Sequence, residues 1–427
     1  MLSQVQGMSG NPRAGRLSPF RILKIIPSSF FADYGCHVRV LEETLALQRA
    51  GCSVTLCTYP SGTNPSGLDI RRPARAAWQR PVQVGSSYFK LAYDLLLLRE
   101  TAKTAVKMKP HVVHAHLHEG ALIGFPVSRL IGVPLCFDFQ GSLTSEMVDH
   151  RFIGKDSALL PLLRRLERTI NCLADMVLTS SQHAADSLCY LHPSLRGRIY
   201  ALPDGVDTER FRPWEELLAP AEVFRLKGQL GVPSDRPVVV YLGLLAEYQG
   251  IGLLLEAAKQ LLEAGQRFHL LVMGYPGEDY YRLKARELGL TGHVTLTGRI
   301  PYHLAPRYLA LGDIAVSPKM SQTEGNGKLL NYMAMGLPTV AFDMPVPREF
   351  LGDPGTYAKA GSPIDLARAI GYLLQDPEQG RRLGQALRQR AVARFSWQEN
   401  GKRLLALYEQ LWQQRHLLAL RGGRWSG

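Results

Sequence analysis

The chain has 427 residues, of which 46% are hydrophobic and 20% are charged. This composition is typical of a soluble globular protein, and the length predicts two or three domains. The net charge of +13 favours phosphorylated small molecules, anionic lipid surfaces or nucleic acid as partners. Because the sequence has no aromatic-interleaved basic run and no zinc-finger spacing, we do not expect nucleic acid to be the partner.

The six cysteines all lie in the first half of the chain and show no metal-ligand spacing. They are predicted to be reduced core thiols of a cytoplasmic protein. No apolar run is long enough to cross a bilayer, and the first residues lack the apolar core of a signal peptide. We therefore expect a cytoplasmic location, which leaves open peripheral contact with the inner face of a membrane.

The first regular elements form a strand, a loop and a helix. After a tail rich in Gly, Ser, Pro and Arg, Arg21–Ile26 is predicted to be a strand. A loop that ends at His37 follows, then a helix from Val38 to Ala50 and a second strand over Ser53–Thr58. This order is typical of the start of a doubly wound parallel sheet.

A basic stretch runs from Leu68 to Lys109 beside a predicted amphipathic helix. Its cationic residues are Arg71, Arg72, Arg75, Arg80, Lys103, Lys107 and Lys109. Such a stretch fits an anionic membrane surface or a phosphorylated acceptor. More often the same pattern is simply a solvated helix face, and both interpretations stay open.

Three histidines alternate along the next predicted strand, which starts at His111 and ends in a loop. The period of two places His114, His116 and His118 on one side while the strand lasts. Such a set could bind a metal in a metal-dependent hydrolase, but no matching carboxylates are found at other strand ends. Structural histidines with satisfied hydrogen bonds are the alternative for His114 and His118, and we expect no metal.

Strands and helices then alternate to the end of the chain. The remaining predicted strands are 133–139, 174–180, 236–242, 269–273, 294–298, 313–317 and 339–342. The remaining predicted helices are 251–264, 303–311, 328–335, 364–374, 377–395 and 397–418. This alternation predicts a second doubly wound domain after the first.

A glycine turn precedes one of these helices. Gly325 and Gly327 let the backbone approach a ligand closely, and the helix that starts at Lys328 is stopped by Gly336 and Pro338. Free backbone N–H groups and the positive end of the helix dipole would meet there, which predicts a site for phosphate or another anion. A well-capped helix without a ligand is the alternative.

The segment from Glu324 to Pro338 resembles the sugar-nucleotide loop of family 4 glycosyltransferases, which are retaining enzymes of the GT-B fold. In that family a glutamate, a glycine turn and a second acidic residue hold the donor sugar, diphosphate and ribose. The resemblance assigns catalysis to Glu324, to Lys328 and to His116 of the His-x-His segment. Asn331 replaces the second acidic residue, seven positions after Glu324 instead of eight, and its amide can still bond ribose hydroxyls.

The resemblance also implies two further sets of residues. The donor-binding set is Gly35, Gly243, Gly274, Arg299, Gly325, Asn326, Gly327, Leu330 and Asn331. The weaker acceptor-side set is His37, His118, Gln140 and Ser181. A nucleotide-diphosphate sugar would be the donor substrate, and no cofactor is expected because fixed protein charges would stabilise the leaving group.

Three further positions depart from the family pattern. Leu244 and Gln249 replace the arginine and lysine that normally grip the donor diphosphate, and Cys36 replaces the second glycine of the first loop. Losing two charge-assisted contacts would cost on the order of a few kcal/mol of donor binding if nothing replaced them. Lys328 and Arg299 are the candidates to compensate.

The fold class that follows is α/β with GT-B architecture: two Rossmann-like doubly wound domains face each other across a cleft, and a C-terminal helix returns to the first domain. The predicted divisions are a basic flexible tail (1–19), an acceptor domain (20–205), a nucleotide-sugar domain (206–394) and the returning helix (395–420). The segment from Arg198 to Phe211 resembles the family linker, with Asp204–Asp207 at the usual Asn-Gly-Val-Asp, and the strand that ends at Ser181 resembles the last strand of the first domain.

The predicted function is retaining transfer of a sugar, of the hexosyltransferase type, from a nucleotide-diphosphate donor to an unknown acceptor. The acceptor could be a glycan, a lipid or a small molecule, as in polysaccharide or glycolipid biosynthesis. Because diphosphate-binding cations are missing, a catalytically degenerate nucleotide-sugar-binding protein of the same fold is the alternative.

Overall fold

The computed structural model describes residues 19–32, 35–74, 89–149, 152–321 and 324–420. Residues 1–18 of the predicted tail, and Arg75 and Arg80 of the basic stretch, lie outside these ranges. Among the helices described, none combines the length and the apolar character that a membrane crossing requires. The cytoplasmic location stays a prediction.

The first domain is built on a parallel sheet of seven strands in the order β3-β2-β1-β4-β5-β6-β7. The strands are β1 (Arg21–Ile26), β2 (Ser53–Thr58), β3 (Asp69–Arg71), β4 (Val112–His116), β5 (Leu135–Phe139), β6 (Met176–Thr179) and β7 (Ile199–Ala201). Its helices are α1 (Gly35–Arg49), α2 (Phe89–Met108), α3 (Leu117–Ile131), α4 (Leu143–Asp149), α5 (Leu160–Asn171) and α6 (Gln182–Leu191). The strands are buried apolar runs because helices cover both faces of a parallel sheet.

The second domain repeats this plan with six parallel strands in the order β10-β9-β8-β11-β12-β13. The strands are β8 (Val238–Leu242), β9 (His269–Met273), β10 (Val294–Gly298), β11 (Ile314–Ser317), β12 (Thr339–Phe342) and β13 (Thr356–Ala358). Two helices precede them, α7 (Trp214–Leu217) and α8 (Pro220–Leu230). The others are α9 (Ile251–Glu263), α10 (Glu278–Glu287), α11 (Ala305–Leu309), α12 (Gly327–Ala334), α13 (Pro345–Leu351), α14 (Pro363–Gln375), α15 (Pro377–Arg394) and α16 (Trp397–Leu420).

The strand order reverses between β1 and β4 in the first sheet and between β8 and β11 in the second. In open parallel sheets, ligands bind at the carboxyl ends of the strands beside such a switch point. Helices α1, α3 and α12 all follow strands at these two points. The topology therefore directs their N-terminal ends toward the space between the domains.

The last helix, α16, returns to the first domain, so the predicted GT-B architecture is confirmed. Its Tyr408 is fully buried, and the hydroxyl forms a hydrogen bond with Nδ1 of His114 in β4. Nearer its start, Asn400 donates a hydrogen bond of 2.9 Å to the carbonyl oxygen of Pro203 in the linker. A single apolar cluster runs from β1 through this helix to Leu329 in the second domain.

Two predictions about the first domain were wrong. The strand that runs toward Ser181 is not the last one, because the short strand β7 pairs outside it; three half-buried residues give too little apolar signal for recognition. The histidine strand does not end in a loop, because β4 stops at His116 and α3 begins at Leu117, which has a φ of 64°. His118 therefore lies on a helix.

The buried Tyr408 hydroxyl provides a test of how α16 is held. We expect Tyr408→Phe to lower the free energy of unfolding by about 1–3 kcal/mol, because the substitution leaves the buried His114 ring without that partner. The exposed Tyr190 provides the matched control, and Tyr190→Phe should change the same quantity by less than about 0.5 kcal/mol. Urea denaturation measures both, and equal effects would contradict the assigned contact.

Candidate active site

A cavity of about 420 Å³ lies between the two domains, and we call it the interdomain cleft. Its volume is within the range of roughly 300–1,000 Å³ found for small-molecule sites. The predicted site residues that line it are Gly35, His118, Gln140, Gly243, Gly274, Glu324, Gly325, Asn326, Gly327, Lys328 and Asn331. Those that do not line it are His37, His116, Ser181, Arg299 and Leu330.

The glycine turn opens into the cleft at the start of α12. Within the described residues, the backbone N–H groups of Asn326, Gly327 and Lys328 donate no hydrogen bond. The Asn326 side chain turns inward, where its Oδ1 accepts a hydrogen bond of 3.2 Å from Ser317 Oγ. The helix itself is anchored because Tyr332 Oη accepts a hydrogen bond of 2.7 Å from Leu242 N in β8. Free donors and the positive end of the dipole thus face the cleft from a fixed helix.

The reason for glycine in this turn differs from the expected one. Neither Gly325 nor Gly327 has a positive φ, so unusual backbone angles do not require glycine there. Space does: a Cβ at residue 325 would lie 2.6 Å from Asp204 Oδ2 and 3.1 Å from Ser180 Oγ. The turn packs tightly against the linker of the first domain, and a side chain at this position would separate the two.

Lys328 extends from α12 across the carboxyl end of β8. Its Nζ donates a hydrogen bond of 2.8 Å to Gln249 Oε1 and lies 4.4 Å from the centre of the Tyr241 ring. A Cβ at residue 243 would lie only 2.4 Å from that Nζ, so Gly243, whose φ is 153°, leaves room for the ammonium group. Burial lowers the pKa of Lys328 well below its usual value, and the nearby Lys319 lowers it further.

Lys319 belongs to the same site and was missed by the sequence analysis. It is buried directly after β11, where Nζ lies 2.7 Å from Glu324 Oε2 and donates a hydrogen bond of 2.7 Å to the Gly325 carbonyl oxygen. This pair fixes the Glu324 carboxylate at the edge of the cleft. The position after a buried strand was the one available signal, since the cleft sides of such sheets begin there.

Of the other predicted donor-binding residues, Gly274 and Arg299 lie at or beside the cleft, and Leu330 lies in the core. Gly274 lets two strand ends approach, because a Cβ there would lie 2.1 Å from the Gly243 carbonyl oxygen. Arg299 stacks its guanidinium 5.4 Å from the centre of the Tyr275 ring, and Tyr275 is the residue that lines the cleft. Leu330 is fully buried in the apolar core beneath α12, so its side chain does not reach a ligand.

His116 is buried behind the wall of the cleft. Its Nδ1 lies 2.9 Å from Asp138 Oδ2, and that oxygen also accepts a hydrogen bond of 2.8 Å from Gln140 Nε2. Burial lowers the pKa of His116 to about 4, with His114 adding to the effect, so the ring is neutral at pH 7. Its role in catalysis stays a prediction, and the structure brings it to the cleft only through Asp138 and Gln140.

Asp138 is the centre of a charged network that sequence reasoning missed. Arg39 binds it with two hydrogen bonds of 3.0 Å and donates a third, of 2.7 Å, to Asp204 Oδ1. Asp204 in turn lies against Gly325, so the network links α1, β5 and the linker to the turn of the second domain. Arg39 holds the pKa of Asp138 well below its usual value despite burial.

Of the four predicted acceptor-side residues, two line the cleft and two do not. Gln140 and His118 line the cleft, and His118 packs edge-on against Phe137 and Phe139. His37 is buried and bonds Ser28 Oγ and the Ala32 amide, and burial lowers its pKa to about 3. Ser181 caps α6 through a hydrogen bond of 3.0 Å from Ala184 N. Both of these last residues have structural contacts instead of contact with the cleft.

The fold does not align the three alternating histidines on one strand, because β4 ends at His116 and His118 lies on α3. Among the described residues, Glu43, His114 and His116 do offer ligand atoms within 4.8 Å of one another. Lys24 Nζ, however, lies 2.6 Å from Glu43 Oε1 in the same fully buried cluster. An ammonium group at that distance already neutralises the carboxylate, which disfavours a cation there.

Cys36 opens α1 at the cleft, where the family has a glycine. Burial raises the pKa of its thiol to about 12, and Glu146 adds to the increase, so the sulfur is a neutral group. All six cysteines are free; Cys52, Cys57 and Cys136 are buried, whereas Cys36, Cys172 and Cys189 are only half-buried and so are not core thiols. A neutral thiol neither attracts nor repels a diphosphate strongly, and Cys36 therefore alters the shape of this wall more than its charge.

Two family models match the chain, and together they span most of its length. The model for Glycosyltransferase Family 4 matches residues 35–210, and the model for Glycosyl transferases group 1 matches residues 223–390. The first match ends in the linker, and the second begins in α8 and covers the glycine turn. Each model therefore corresponds to one of the two sheets.

Named relatives agree with this assignment. The 2-deoxystreptamine N-acetyl-D-glucosaminyltransferase of Streptomyces fradiae is 30% identical over 390 residues, which are 87% of this chain and 90% of that protein. The D-inositol 3-phosphate glycosyltransferase 1 of Catenulispora acidiphila is 28% identical over 326 residues, which are 73% of each chain. The chain thus matches these enzymes over most of their length.

The fold matches solved structures as well. The crystal structure of Anabaena HepE in complex with UDP and glucose has a TM-score of 0.72 and 16% sequence identity, and the match covers 91% of this chain and 99% of that one. Identity this low shows the fold alone, and the family rests on the models and the relatives. The chain belongs to glycosyltransferase family 4, and it is a glycosyltransferase of the GT-B type.

Proposed function

We propose that this glycosyltransferase moves a sugar from a nucleotide-diphosphate donor to an acceptor held by the first domain, with retention of anomeric configuration. The observation that carries the proposal is the set of free backbone N–H groups at Asn326, Gly327 and Lys328, which face the interdomain cleft beside the Lys328 ammonium group. A diphosphate has the charge and the oxygen spacing to accept from these donors.

Lys328 supplies the positive charge that the missing family cations would have given. Gln249, which stands in place of the lysine, orients the ammonium group through the 2.8 Å hydrogen bond. The lowered pKa of Lys328 rises again when a diphosphate arrives, because an adjacent anion favours the charged form. One buried lysine and three amides thus take the place of two exposed cations.

Catalysis then rests on stabilising the departing diphosphate. Glu324, held by Lys319, would bind the donor sugar, and Asn331 would meet the ribose. His116 would act as a positioning residue, since it reaches the cleft through Asp138 and Gln140. The resemblance to a family of retaining enzymes supports retention of configuration, and we propose no cofactor.

The donor class suggested first is a uridine diphosphate sugar, because the HepE crystals of similar fold contain UDP and glucose. The two relatives differ in the acceptors their names state, one an aminocyclitol and the other an inositol phosphate. The alternative of a degenerate binder predicts nucleotide binding without turnover. An assay must therefore measure nucleotide binding and sugar transfer separately.

The test of the proposal is an assay with uridine, guanosine and adenosine diphosphate sugars and a panel of acceptors. We expect one donor class to give nucleotide diphosphate release that depends on the acceptor, and NMR of the product to show retained configuration. Binding without acceptor-dependent release would favour the degenerate binder. Binding of none of the nucleotides would overturn the proposal.

Lys328→Met tests the charge at the leaving group. We expect the affinity for the nucleotide diphosphate to fall about 10- to 100-fold, the loss of one charge-assisted contact of about 1.5–3 kcal/mol. Affinity for the nucleoside alone should stay unchanged, since it carries no phosphate. Calorimetric titration measures both, and the exposed Lys259→Met is the matched lysine control.

Gly243→Ala tests the same contact without removing the charge. A new Cβ would displace the ammonium group, so nucleotide diphosphate affinity should fall, although by less than in Lys328→Met. Gly252→Ala is the matched control, because its Cβ would meet the end of a different lysine, Lys284. If Gly243→Ala and Gly252→Ala bind the diphosphate equally well, Lys328 does not act from the observed position.

Peripheral contact with an anionic membrane is a further part of the proposal. It is supported by α2, on which Lys103 and Lys107 are exposed together with Leu95 and Val106. We expect the protein to sediment with vesicles that contain anionic lipid and much less with neutral vesicles. Lys103→Glu combined with Lys107→Glu should abolish the difference; equal sedimentation of wild type and variant would contradict it.

A further inference from the structure

The first-domain side of the interdomain cleft contains one carboxyl group that has no cationic partner among the described residues. We call the residues Lys90, His118, Glu119, Gln140 and Glu146, which line this side, the acceptor wall. Lys90 forms an ion pair with Glu119, so those two charges cancel. Glu146 is the carboxylate that remains, and within the described residues its side chain has no hydrogen bond and no ion pair.

Glu146 faces a second carboxylate across the cleft. A Cβ at Gly141 would lie 2.6 Å from Glu146 Oε1 and 3.3 Å from Glu324 Cγ, so both side chains flank one point beside this glycine. Burial raises the pKa of Glu146 to about 8, and the charge of Glu324 adds to the increase. A carboxyl group in this state binds a proton near neutral pH, and its charged form has no cationic partner among the residues that the structure describes.

The charged groups around Glu146 come from every element that packs near it. They are Glu119 and His118 of α3, Lys90 of α2, Glu167 of α5, Cys36 of α1, and Lys319 and Glu324 of the second domain. Lys319 is engaged by Glu324, and burial keeps the pKa of His118 below its usual value. Glu167 accepts hydrogen bonds from Thr144. No cation in this described set is left for Glu146.

We propose that the acceptor is a polyhydroxylated ring bearing a protonated amine, and that this amine binds Glu146 beside Glu324. The inference rests on the proposed glycosyl transfer and names its acceptor class. An ammonium group supplies the positive charge that the site lacks, and the hydroxyl groups of the ring can bond Gln140. Gly141 provides the space in which the amine meets both carboxylates.

A phosphorylated acceptor fits this wall poorly. The described cations on the first-domain side of the cleft are Lys90 of the wall and Arg39 beyond it. Lys90 is already paired with Glu119, and Arg39 with Asp138 and Asp204. A phosphate beside Glu146 would face the Glu324 carboxylate without an available cation among the described residues, which costs free energy by like-charge repulsion, and it would offer no positive charge to an ionised Glu146. A neutral ring would leave the Glu146 carboxyl group protonated and would gain only neutral hydrogen bonds.

Binding of the amine is linked to a proton. At pH 7 the free site holds Glu146 mostly as the neutral acid, since its pKa is about 8. An ammonium group lowers that pKa, so the carboxyl group loses its proton to the buffer and the amine keeps its own. A neutral ring of the same shape should release no proton.

The experiment is calorimetric titration of the full chain, saturated with nucleotide diphosphate, at pH 7 in two buffers of different ionisation enthalpy. The probes are 2-deoxystreptamine, myo-inositol and D-inositol 3-phosphate, which share a six-membered ring and differ in charge. We expect 2-deoxystreptamine to bind about 10-fold or more tightly than the other two, with net proton release close to one at Glu146. Glu146→Gln should abolish both the preference and the proton release.

Gly141→Ala is the second variant, because its Cβ would displace Glu146 without changing any charge. It should weaken binding of 2-deoxystreptamine more than binding of myo-inositol. Equal affinity for the three probes, tighter binding of the phosphate, or an unchanged preference in Glu146→Gln would each overturn the inference. Absence of nucleotide diphosphate binding in the wild type would overturn the proposed function instead, so the two failures are distinguishable.

Discussion

The position of the Lys328 ammonium group is the constraint on which the site depends. It requires a helix that starts at the cleft, a glycine at 243 to leave room, and Gln249 to accept a hydrogen bond. Burying a lysine among neutral partners such as Gln249 and Tyr241 is costly, and burial accordingly lowers the pKa of Lys328 well below its usual value. The ammonium group lies beside three backbone amides that donate no hydrogen bond to the described residues, where we propose that the diphosphate binds.

The two domains are joined at this point by charges as well as by apolar packing. Arg39 holds Asp138 and Asp204 together, and Asp204 lies against Gly325 in the turn of the second domain. The network thus connects the strand behind the acceptor wall to the segment that faces the diphosphate. A displacement of one domain against the other would therefore change both halves of the site.

The sequence predicted the architecture because most of its elements are long and regular. Buried runs such as Val238–Leu242 and His269–Met273 are unambiguous, and the family resemblance supplied the order of the domains. The strands it missed, Asp69–Arg71, Ile199–Ala201 and Thr356–Ala358, are three residues long and are fixed by pairing with longer neighbours, which no local pattern encodes.

The candidate site was predicted less completely, because its contacts join distant segments. The family pattern showed two cations missing, but the contact between Lys328 and Gln249 links residues 79 positions apart and needs the fold to bring them together. Asp138 and Glu146 lie in no local sequence motif. Only the folded structure shows that Asp138 pairs with Arg39 and that Glu146 lies beside Gly141 at the cleft. Glycine at 325 was predicted from its φ preference, whereas the closeness of Asp204 is the actual reason.

A crystal structure of the protein with a bound nucleotide diphosphate tests the central claim most directly. The measured quantities are the distances from the phosphate oxygens to the backbone nitrogens of Asn326, Gly327 and Lys328 and to Lys328 Nζ. The account predicts that at least two of these distances fall between about 2.7 and 3.2 Å. A diphosphate bound elsewhere in the cleft, with Lys328 still on Gln249 and the three amides facing only water, would contradict it.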